Sequence, residues 1–356
     1  MRALPRLAVA LLLSIVAVSP LYAETSSWVQ EIPQTEIPKT SLGKGVKLVP
    51  GPKAAPQAAP APTAGKLSGA PTMVEPTGDD AAYIAFDQGQ YLTALKLAEE
   101  GTKRNEPQAF TLIGRIYAEG LGGNKDEAQA AKWYARGAEL GDIQATFSLG
   151  VLYAEGRGVK KDRNKAAVLF EKAALTGHPL ANYNLGLLFL KGDGKPQNFY
   201  RAAGHIRFAA EKGIAAAQYD LGGLYQQGVG VPNDALQASY WLEKAAEQGM
   251  AAAQLEYAVM LLRGLGMTRD EPKAIPYLKS AAQAGLPAAQ NRLAYCYSEG
   301  VIVKKDPIEA AKWRLIARAG GLKDPDADAL VDKLPKDKLA VAEKAANEWR
   351  EQAGLF

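Results

Sequence analysis

The sequence predicts an all-α solenoid of six helix pairs, each 36 residues long, with helical caps at both ends. Two columns of glycine, which begin at Gly120 and Gly141, recur every 36 residues through six repeats without exception. Two columns of alanine, which begin at Ala109 and Ala130, recur in the same way. A period of this size is typical of a solenoid, in which each repeat buries its apolar face only against its neighbours.

The first 78 residues differ in composition from the rest of the chain. Residues 1–23 are predicted to be a cleaved signal peptide, because Arg2 and Arg6 precede an apolar core of 12 residues, Leu7–Val18. This core is shorter than the ~20 residues that span a bilayer. Residues 24–78 contain nine of the 21 prolines and are predicted to be a Pro/Ala-rich disordered linker. We therefore expect a periplasmic or secreted protein with no transmembrane segment after signal cleavage.

Each repeat is predicted to contain two helices, A and B. In the first repeat, helix A covers residues 107–118, because Ala109, Ile113 and Ile116 fall at helical spacing. Gly120 ends the helix, since the residue just beyond a helix often needs a positive φ.

Helix B begins after a short loop. Asp126 is expected to cap it, with Gln129 at the position of a capping box. The helix runs to about Leu140, and Gly141 turns the chain into the next repeat. The later repeats place Asp or Asn at the same capping position: Asp162, Asn198, Asp234, Asp270 and Asp306.

Two kinds of glycine column are distinguished by what replaces the glycine. The column that contains Gly120 and Gly156 never changes, which indicates that the backbone dihedral is the constraint. The column that contains Gly150 changes to Ala258 and Ala294, which indicates a need for small size where two helices cross. We therefore expect Gly156→Ala to cost about 1 kcal/mol or more, and Gly150→Ala clearly less.

The repeat resembles the Sel1-like repeat, a relative of the tetratricopeptide repeat. The resemblance is carried by Ala109-x3-Ile113-Gly114-x2-Tyr117-x2-Gly120-x-Gly122, then Asp126-x3-Ala130-x2-Trp133-Tyr134, then Gly141. It implies that the helix pairs form a right-handed α-α superhelix. The six Sel1-like repeats are assigned to residues 106–141, 142–177, 178–213, 214–249, 250–285 and 286–321. Residues 79–105 resemble a tetratricopeptide-like capping pair in which Asn105 replaces the terminal glycine, and residues 322–356 are predicted to form a C-terminal helical cap.

Composition and motifs argue against several functional classes. A balance of 42 Lys+Arg against 38 Asp+Glu is too even for a nucleic-acid-binding protein. The single cysteine, Cys296, excludes an intramolecular disulfide, and with only His178 and His205 no zinc-site spacing exists. The segment Ser41–Lys44 matches the S-x-x-K motif of penicillin-recognising enzymes, but it lies in the linker without the companion motifs. No catalytic residue, metal or cofactor is expected.

One side of helix A is apolar in the middle repeats, where an ordinary surface helix would be polar. The resemblance to tetratricopeptide arrays implies that this side lines a concave groove for a protein or peptide. The alternative is that these residues pack on adjacent repeats. The predicted groove residues are Arg115, Phe147, Val151, Tyr183, Leu187, Tyr219, Leu255, Val259 and Tyr295.

Three functions are consistent with these patterns. The first is an exported, non-enzymatic scaffold that binds a protein or peptide partner of the bacterial cell envelope, as exported Sel1-like proteins that regulate membrane sensors or envelope assembly do. The second is an enzyme or binder that acts on peptidoglycan or β-lactams, although the chain lacks the cysteine pairs of the β-lactam-binding branch of the family. The third is a structural spacer without a partner.

Overall fold

The computed structural model describes residues 79–300 and 302–354, and this part of the chain is entirely helical, with sixteen α-helices and no strand. The all-α fold class is therefore confirmed. The predicted signal peptide (1–23) and the predicted linker (24–78), with the S-x-x-K segment inside it, lie outside the described residues.

The described residues divide into two compact units, with the boundary along the chain between Asn198 and Phe199. The N-terminal unit contains seven helices. They are α1 (Asp79–Asp87), α2 (Tyr91–Lys103), α3 (Pro107–Glu119), α4 (Glu127–Glu139), α5 (Ile143–Glu155), α6 (Arg163–Leu175) and α7 (Pro179–Lys191).

The C-terminal unit contains nine helices within its described residues. They are α8 (Phe199–Glu211), α9 (Ala215–Gln227), α10 (Ala235–Glu247), α11 (Ala251–Arg263), α12 (Glu271–Gln283), α13 (Pro287–Glu299), α14 (Pro307–Ala319), α15 (Pro325–Asp332) and α16 (Lys336–Gln352). Within each unit, helices adjacent in sequence pack against each other up to α15, and α16 packs on α14.

The two invariant glycine columns have the backbone conformation that the sequence predicts. The column of Gly120 has φ between 66° and 76°, and the column of Gly141 has φ between 83° and 94°. Asn105, which replaces the glycine in the first capping pair, has φ 56°. These residues are thus selected for a left-handed conformation that side chains with a Cβ rarely adopt.

Aspartate caps the helices B as predicted. Asp126 accepts a hydrogen bond from the backbone N–H of Gln129 at 2.9 Å. Equivalent bonds to backbone N–H groups two or three residues ahead are made by Asp162, Asp234, Asp270 and Asp306. Each bond satisfies one of the free donors at the helix N-terminus.

The glycines at the helix crossings lie tightly against helix B. A Cβ added at Gly150 would lie 2.7 Å from Cε1 of Phe170, and one added at Gly222 would lie 2.8 Å from Cγ of Leu242. The requirement for small size is therefore confirmed. However, the expectation that Gly150→Ala costs clearly less than Gly156→Ala did not include the ring of Phe170, which would have to move.

A third glycine column, which includes Gly266, makes the closest backbone approaches. Its described glycines have φ between 67° and 80°, and the sixth repeat has Ile302 there with φ 63°. A Cβ added at Gly266 would lie 2.0 Å from the carbonyl oxygen of Ala235, at the start of α10. The loop after helix A thus packs directly on the backbone of the preceding helix B.

The C-terminal helices α15 and α16 pack on α14 through both apolar and ionic contacts. Trp349 packs edge-on against Trp313, with ring centroids 5.9 Å apart. Arg314 is completely buried and donates to Oδ1 of Asp328 at 2.8 Å. Its other nitrogens donate to Oδ1 of Asn291 at 3.0 Å and to the carbonyl of Leu322 at 3.1 Å.

Candidate protein-binding face

The side of each helix A that is turned away from its helix B is the candidate functional site, and we call it the A face. In α9, Gly222 contacts helix B through Leu242. Because successive helical residues are rotated by ~100°, Asp220 lies on nearly the opposite side of the helix. The residue two places before the crossing glycine or alanine therefore marks the A face of every repeat.

The residues at this position change from neutral to charged along the chain. They are Leu112, Ser148 and Asn184 in the N-terminal unit, and Asp220, Glu256 and Arg292 in the C-terminal unit. The first repeat has leucine at this position, so the position accepts an apolar residue. The C-terminal unit nevertheless has an ionisable residue at this position in each of its three helices A. This charged column was missed by the sequence analysis, although the loss of apolar character in successive repeats was a signal that could have found it.

Glu256 has an unusual environment for a carboxylate. It accepts a hydrogen bond from the Tyr219 hydroxyl at 2.7 Å and a second from the Gln226 side chain. Both donors are uncharged. Burial raises the pKa of Glu256 to about 7, and the two hydrogen bonds oppose this shift only in part. Near neutral pH the A face thus contains a carboxyl group that would gain from contact with a cation.

We expect the stability of the C-terminal unit to depend on the protonation of Glu256. Its pKa is about 7 in the folded protein against an ordinary value of 4.5, so the folded state binds more protons between these pH values. The free energy of unfolding should therefore fall as the pH rises through this window, by at most about 1.4 kcal/mol per pH unit. The other charged residues of the column, Asp220 and Arg292, lie on the helices on either side, α9 and α13.

Urea unfolding at pH 5, 6, 7 and 8 checks this expectation. The free energy of unfolding of wild type minus that of Glu256→Gln should fall steadily from pH 5 to pH 7 and level off by pH 8, because the glutamine does not titrate. Glu247→Gln, at an exposed glutamate on α10, is the matched control and should keep the wild-type slope. Identical slopes for wild type and Glu256→Gln would contradict the expectation.

Two further polar side chains, Gln227 and Arg263, lie on this side of the C-terminal unit. Gln227 lies seven residues after Asp220, on the same stripe of α9, and its Oε1 is buried without a hydrogen-bond donor in the described part of the chain. Arg263 lies seven residues after Glu256 on α11 and is exposed. Burial and the neighbouring charge of Arg263 lower the pKa of Arg292.

The predicted groove residues of the N-terminal unit are mostly buried. Phe147 and Tyr183 have no exposed side-chain area, and Val151 and Leu187 are 4% and 5% exposed. Arg115 is partly exposed, with its guanidinium 4.6 Å from the ring centroid of Phe86 and an ion pair to Glu119 at 3.0 Å. Burial of this kind is expected if these residues pack on adjacent repeats rather than line a groove.

The ring of Phe147 is covered by the side chains of His178 and Phe170. Its ring stacks on the imidazole of His178 with centroids 4.6 Å apart, and it also lies 5.9 Å from the ring of Phe170. His178 caps α7 by accepting from the N–H of Ala181, and burial lowers the pKa of its imidazole. His178 is thus half-buried, and the Phe147 side chain contacts the first residue of the next repeat.

The predicted groove residues of the C-terminal unit keep partial exposure. They are Tyr219, Leu255, Val259 and Tyr295. Val259 and Tyr295 lie three residues after Glu256 and Arg292 and so belong to the A face. The Tyr295 hydroxyl is 3.1 Å from both carboxylate oxygens of Asp324. The structure thus brings charged and apolar groups together on one accessible side of this unit.

Other candidate reactive groups have structural roles. Cys296 is buried, and burial raises the pKa of its thiol to about 11, so the nucleophilic thiolate is not populated near neutrality. Asp324 caps α15, and Asp328 pairs with Arg314. In residues 79–300 and 302–354, no cluster of three or more His, Cys, Asp or Glu side chains is arranged to hold a metal ion.

The stacked helix pairs and the A face that they repeat define an all-α helical-repeat protein. The chain belongs to the Sel1 repeat family, whose model matches residues 111–142, 143–178, 179–214, 215–250, 251–286 and 287–321. Proteins with these repeats generally mediate protein–protein interaction and are typically non-enzymatic scaffolds. The sequence-based family assignment is confirmed.

Solved structures support the same assignment. A Sel1 repeat protein from Oxalobacter formigenes is 31% identical with a TM-score of 0.60, over 67% of this chain and 97% of that protein. A protective antigen of uropathogenic Escherichia coli strains, which displays an SLR fold, is 26% identical with a TM-score of 0.52, over 77% of this chain and 68% of the antigen. No curated protein matches the chain significantly.

None of the helices between residues 79 and 354 is both long enough and apolar enough to cross a bilayer.

Proposed function

We propose that this protein is an exported adaptor that binds a protein or peptide partner of the bacterial cell envelope along the A face of its C-terminal unit. The observation that carries the proposal is that the half-buried Glu256, the partly exposed Val259 and the exposed Arg263 lie on one stripe of α11, two helical turns long. A stripe that offers a carboxyl group, an apolar contact and a cation in order suits an extended peptide with complementary side chains. The family relationship supports a protein partner.

The envelope location and a regulatory role are parts of the same proposal. The predicted signal peptide supports export, and the analogy with exported Sel1-like proteins supports control of a membrane sensor or a role in envelope assembly. An enzyme acting on peptidoglycan or β-lactams remains the alternative. Turnover of a chromogenic cephalosporin or of purified sacculi by the pure protein would favour that alternative.

Substitution on the A face tests the adaptor function. Val259→Asp is expected to abolish crosslinking to the partner in the native envelope, because it places a charge in the apolar centre of the stripe. The variant should still fold, since Val259 is partly exposed. We avoid Tyr183 and Phe147 for this purpose, because both are fully buried and their loss would destabilise the protein.

Leu236→Asp is the matched control. Leu236 lies on α10, a helix B, and is 63% exposed, so the same charge is added to the same unit away from the A face. The control should retain partner capture and a melting temperature close to that of Val259→Asp. If both variants capture the partner as wild type does, the A face of this unit is not the binding site.

A further inference from the structure

Helix α6, the helix B of the second repeat, exposes two large apolar side chains. Leu175 is 88% exposed and Val168 is 60% exposed. The two residues are seven positions apart and therefore lie on one stripe of the helix, two turns apart. Lys165 and Lys172 each lie three residues before one of them, on the same stripe. We call these four residues the α6 stripe.

The fold does not require apolar residues at these two positions. In four other repeats the position of Leu175 is taken by glutamate or glutamine, at Glu139, Glu211, Glu247 and Gln283. In two other repeats the position of Val168 is taken by lysine, at Lys132 and Lys312. Because polar side chains serve equally well there, packing within the repeat does not explain Leu175 and Val168. Their apolar surface is available to another molecule.

Two lysines on this side of the N-terminal unit have no carboxylate partner within residues 79–300 and 302–354. They are Lys132 on α4 and Lys172 on α6, and both are exposed. The Lys172 ammonium group instead donates to the carbonyl oxygen of Ala138, near the end of α4, at 3.0 Å. This hydrogen bond shows that α4 and α6 are neighbours, so the lysines of both helices contribute to one positive surface.

The nearby carboxylates are already engaged with other groups. Glu139 of α4 and Glu171 of α6 each form an ion pair, at 2.9 Å and 2.8 Å. Asp162 caps α6 with one oxygen, and its other oxygen is 3.9 Å from the exposed ammonium group of Lys165. At this distance and exposure the attraction is weak. The α6 stripe therefore has excess positive charge, which an acidic partner would complement.

The shape of the apolar surface favours a protein partner over a lipid surface. Helices that lie in a membrane interface present a whole apolar face, commonly with aromatic side chains. The main apolar face of α6 is buried inside the unit, through Ala166, Phe170 and Ala173. Only the narrow α6 stripe remains outside, and it contains no aromatic residue.

The spacing of the α6 stripe matches a second helix. Val168 and Leu175 are about 10.5 Å apart along α6, at ~1.5 Å per residue, which is the distance between residues seven apart on any helix. A partner helix that crosses at ~20° stays in contact over both turns. Side chains on one face of a β-strand recur at ~6.6 Å and ~13 Å, and these distances do not match.

We propose that the α6 stripe is a docking surface for an acidic amphipathic helix of a protein partner. Acidic side chains of that helix lie against Lys165 and Lys172, and two aliphatic side chains, seven residues apart, cover Val168 and Leu175. The surface lies on a helix B of the N-terminal unit, whereas the proposed function uses helices A of the C-terminal unit. The inference is therefore independent of the proposed function.

Binding of a synthetic helix to the full chain tests the inference. The probe is a fluorescein-labelled peptide of three heptads, with one leucine per heptad flanked by glutamate on an alanine background. The reference probe has lysine in place of each glutamate. In fluorescence anisotropy at low salt, we expect the acidic probe to bind at least about tenfold more tightly than the basic probe, and added salt to weaken its binding. Equal binding of the two probes, or no binding of the acidic probe, would overturn the inference.

Two substitutions taken from other repeats identify the contact. Leu175→Gln introduces the residue that the fifth repeat has as Gln283, and Lys165→Gln introduces the residue that the first repeat has as Gln129. Both should therefore leave the melting temperature unchanged. We expect Leu175→Gln to weaken binding of the acidic probe about tenfold and Lys165→Gln about threefold. Unchanged binding in both variants would overturn the proposed location.

The matched controls lie on α10, a helix B of the C-terminal unit. Leu236→Gln removes an apolar side chain that is 63% exposed. Lys244→Gln removes the lysine at the position equivalent to Lys172, where Glu247 is its ion-pair partner at 3.0 Å. Both controls should bind the acidic probe as wild type does. A loss equal to that of the test variants would show that the probe does not bind the α6 stripe.

Two further measurements address the natural occupant. Photocrosslinking in the producing cells, from p-benzoylphenylalanine in place of Leu175, should map by mass spectrometry to an acidic segment with aliphatic residues seven apart. A basic or neutral segment would overturn the inference. Cosedimentation of the wild type with phosphatidylglycerol vesicles, lost in Leu175→Gln, would assign the stripe to a lipid surface and also overturn it.

The test is separate from that of the A face. Val259→Asp should leave binding of the acidic probe unchanged, and Leu175→Gln should leave capture through the A face unchanged, because the two surfaces belong to different units. Loss of probe binding in Val259→Asp would place the probe on the A face and overturn the inference.

Discussion

Arg314→Leu is expected to destabilise the C-terminal unit by about 3–5 kcal/mol. The Arg314 side chain is completely buried and donates three hydrogen bonds, to Asp328, to Asn291 and to the carbonyl of Leu322. Leucine would leave these acceptors without their donor, and the cost of an unpaired buried group exceeds the apolar burial that leucine adds. The result is measured as the free energy of unfolding in urea.

Arg318→Leu provides the matched control for this prediction. Its guanidinium is 3.8 Å from the same Oδ1 of Asp328, but its side chain is 50% exposed. We expect a loss of no more than about 1 kcal/mol, because exposed ion pairs are screened by solvent. Equal losses for the two variants would show that burial of Arg314 does not determine how the C-terminal helices are held.

Gly266→Ala is expected to cost roughly 3 kcal/mol or more, through strain at positive φ and a steric clash together. Gly266 has φ 69°, and an added Cβ would lie 2.0 Å from the carbonyl oxygen of Ala235 and 2.7 Å from the nitrogen of Leu236. Both contacts are with backbone, which cannot move aside as a flexible side chain does. The variant should show a lower melting temperature and a lower urea midpoint.

Gly285→Ala separates the two causes. Gly285 has φ 85°, but an added Cβ would have no heavy atom within 4 Å. Only the backbone strain remains, and the expected cost is about 1 kcal/mol. A similar cost at the two positions would mean that the loop of Gly266 relaxes away from α10 without penalty.

The glycine columns show which structural requirements a sequence pattern predicts. The columns of Gly120 and Gly141 were correctly predicted to need positive φ, because a dihedral requirement is local and is visible as a residue that never changes. The close approach of Gly266 to Ala235 could not be predicted in the same way, since the contact joins residues 31 positions apart. The sequence around Gly266 does not indicate how closely its backbone approaches that of Ala235.

The A face was predicted only in part for a related reason. Helical spacing predicted that Val259 and Tyr295 lie on one side of helix A, and both are partly exposed. It did not distinguish them from Phe147, which was predicted to lie on the same side of its own helix A. The ring of Phe147 is covered by His178. It also did not identify Glu256, because an acidic residue on a helix is ordinarily a solvated one. Only the packed structure shows that its hydrogen-bond donors are uncharged.

The sequence by itself determined the family, the 36-residue period, the limits of the helices and the residues that cap them, since all of these depend on interactions within one repeat. The tertiary structure decided which equivalent residues are buried, which carboxyl group has a raised pKa and how Arg314 holds the C-terminal helices. Those properties depend on contacts between repeats, where side chains of different sequence meet at equivalent backbone positions, and a repeating pattern does not specify such contacts.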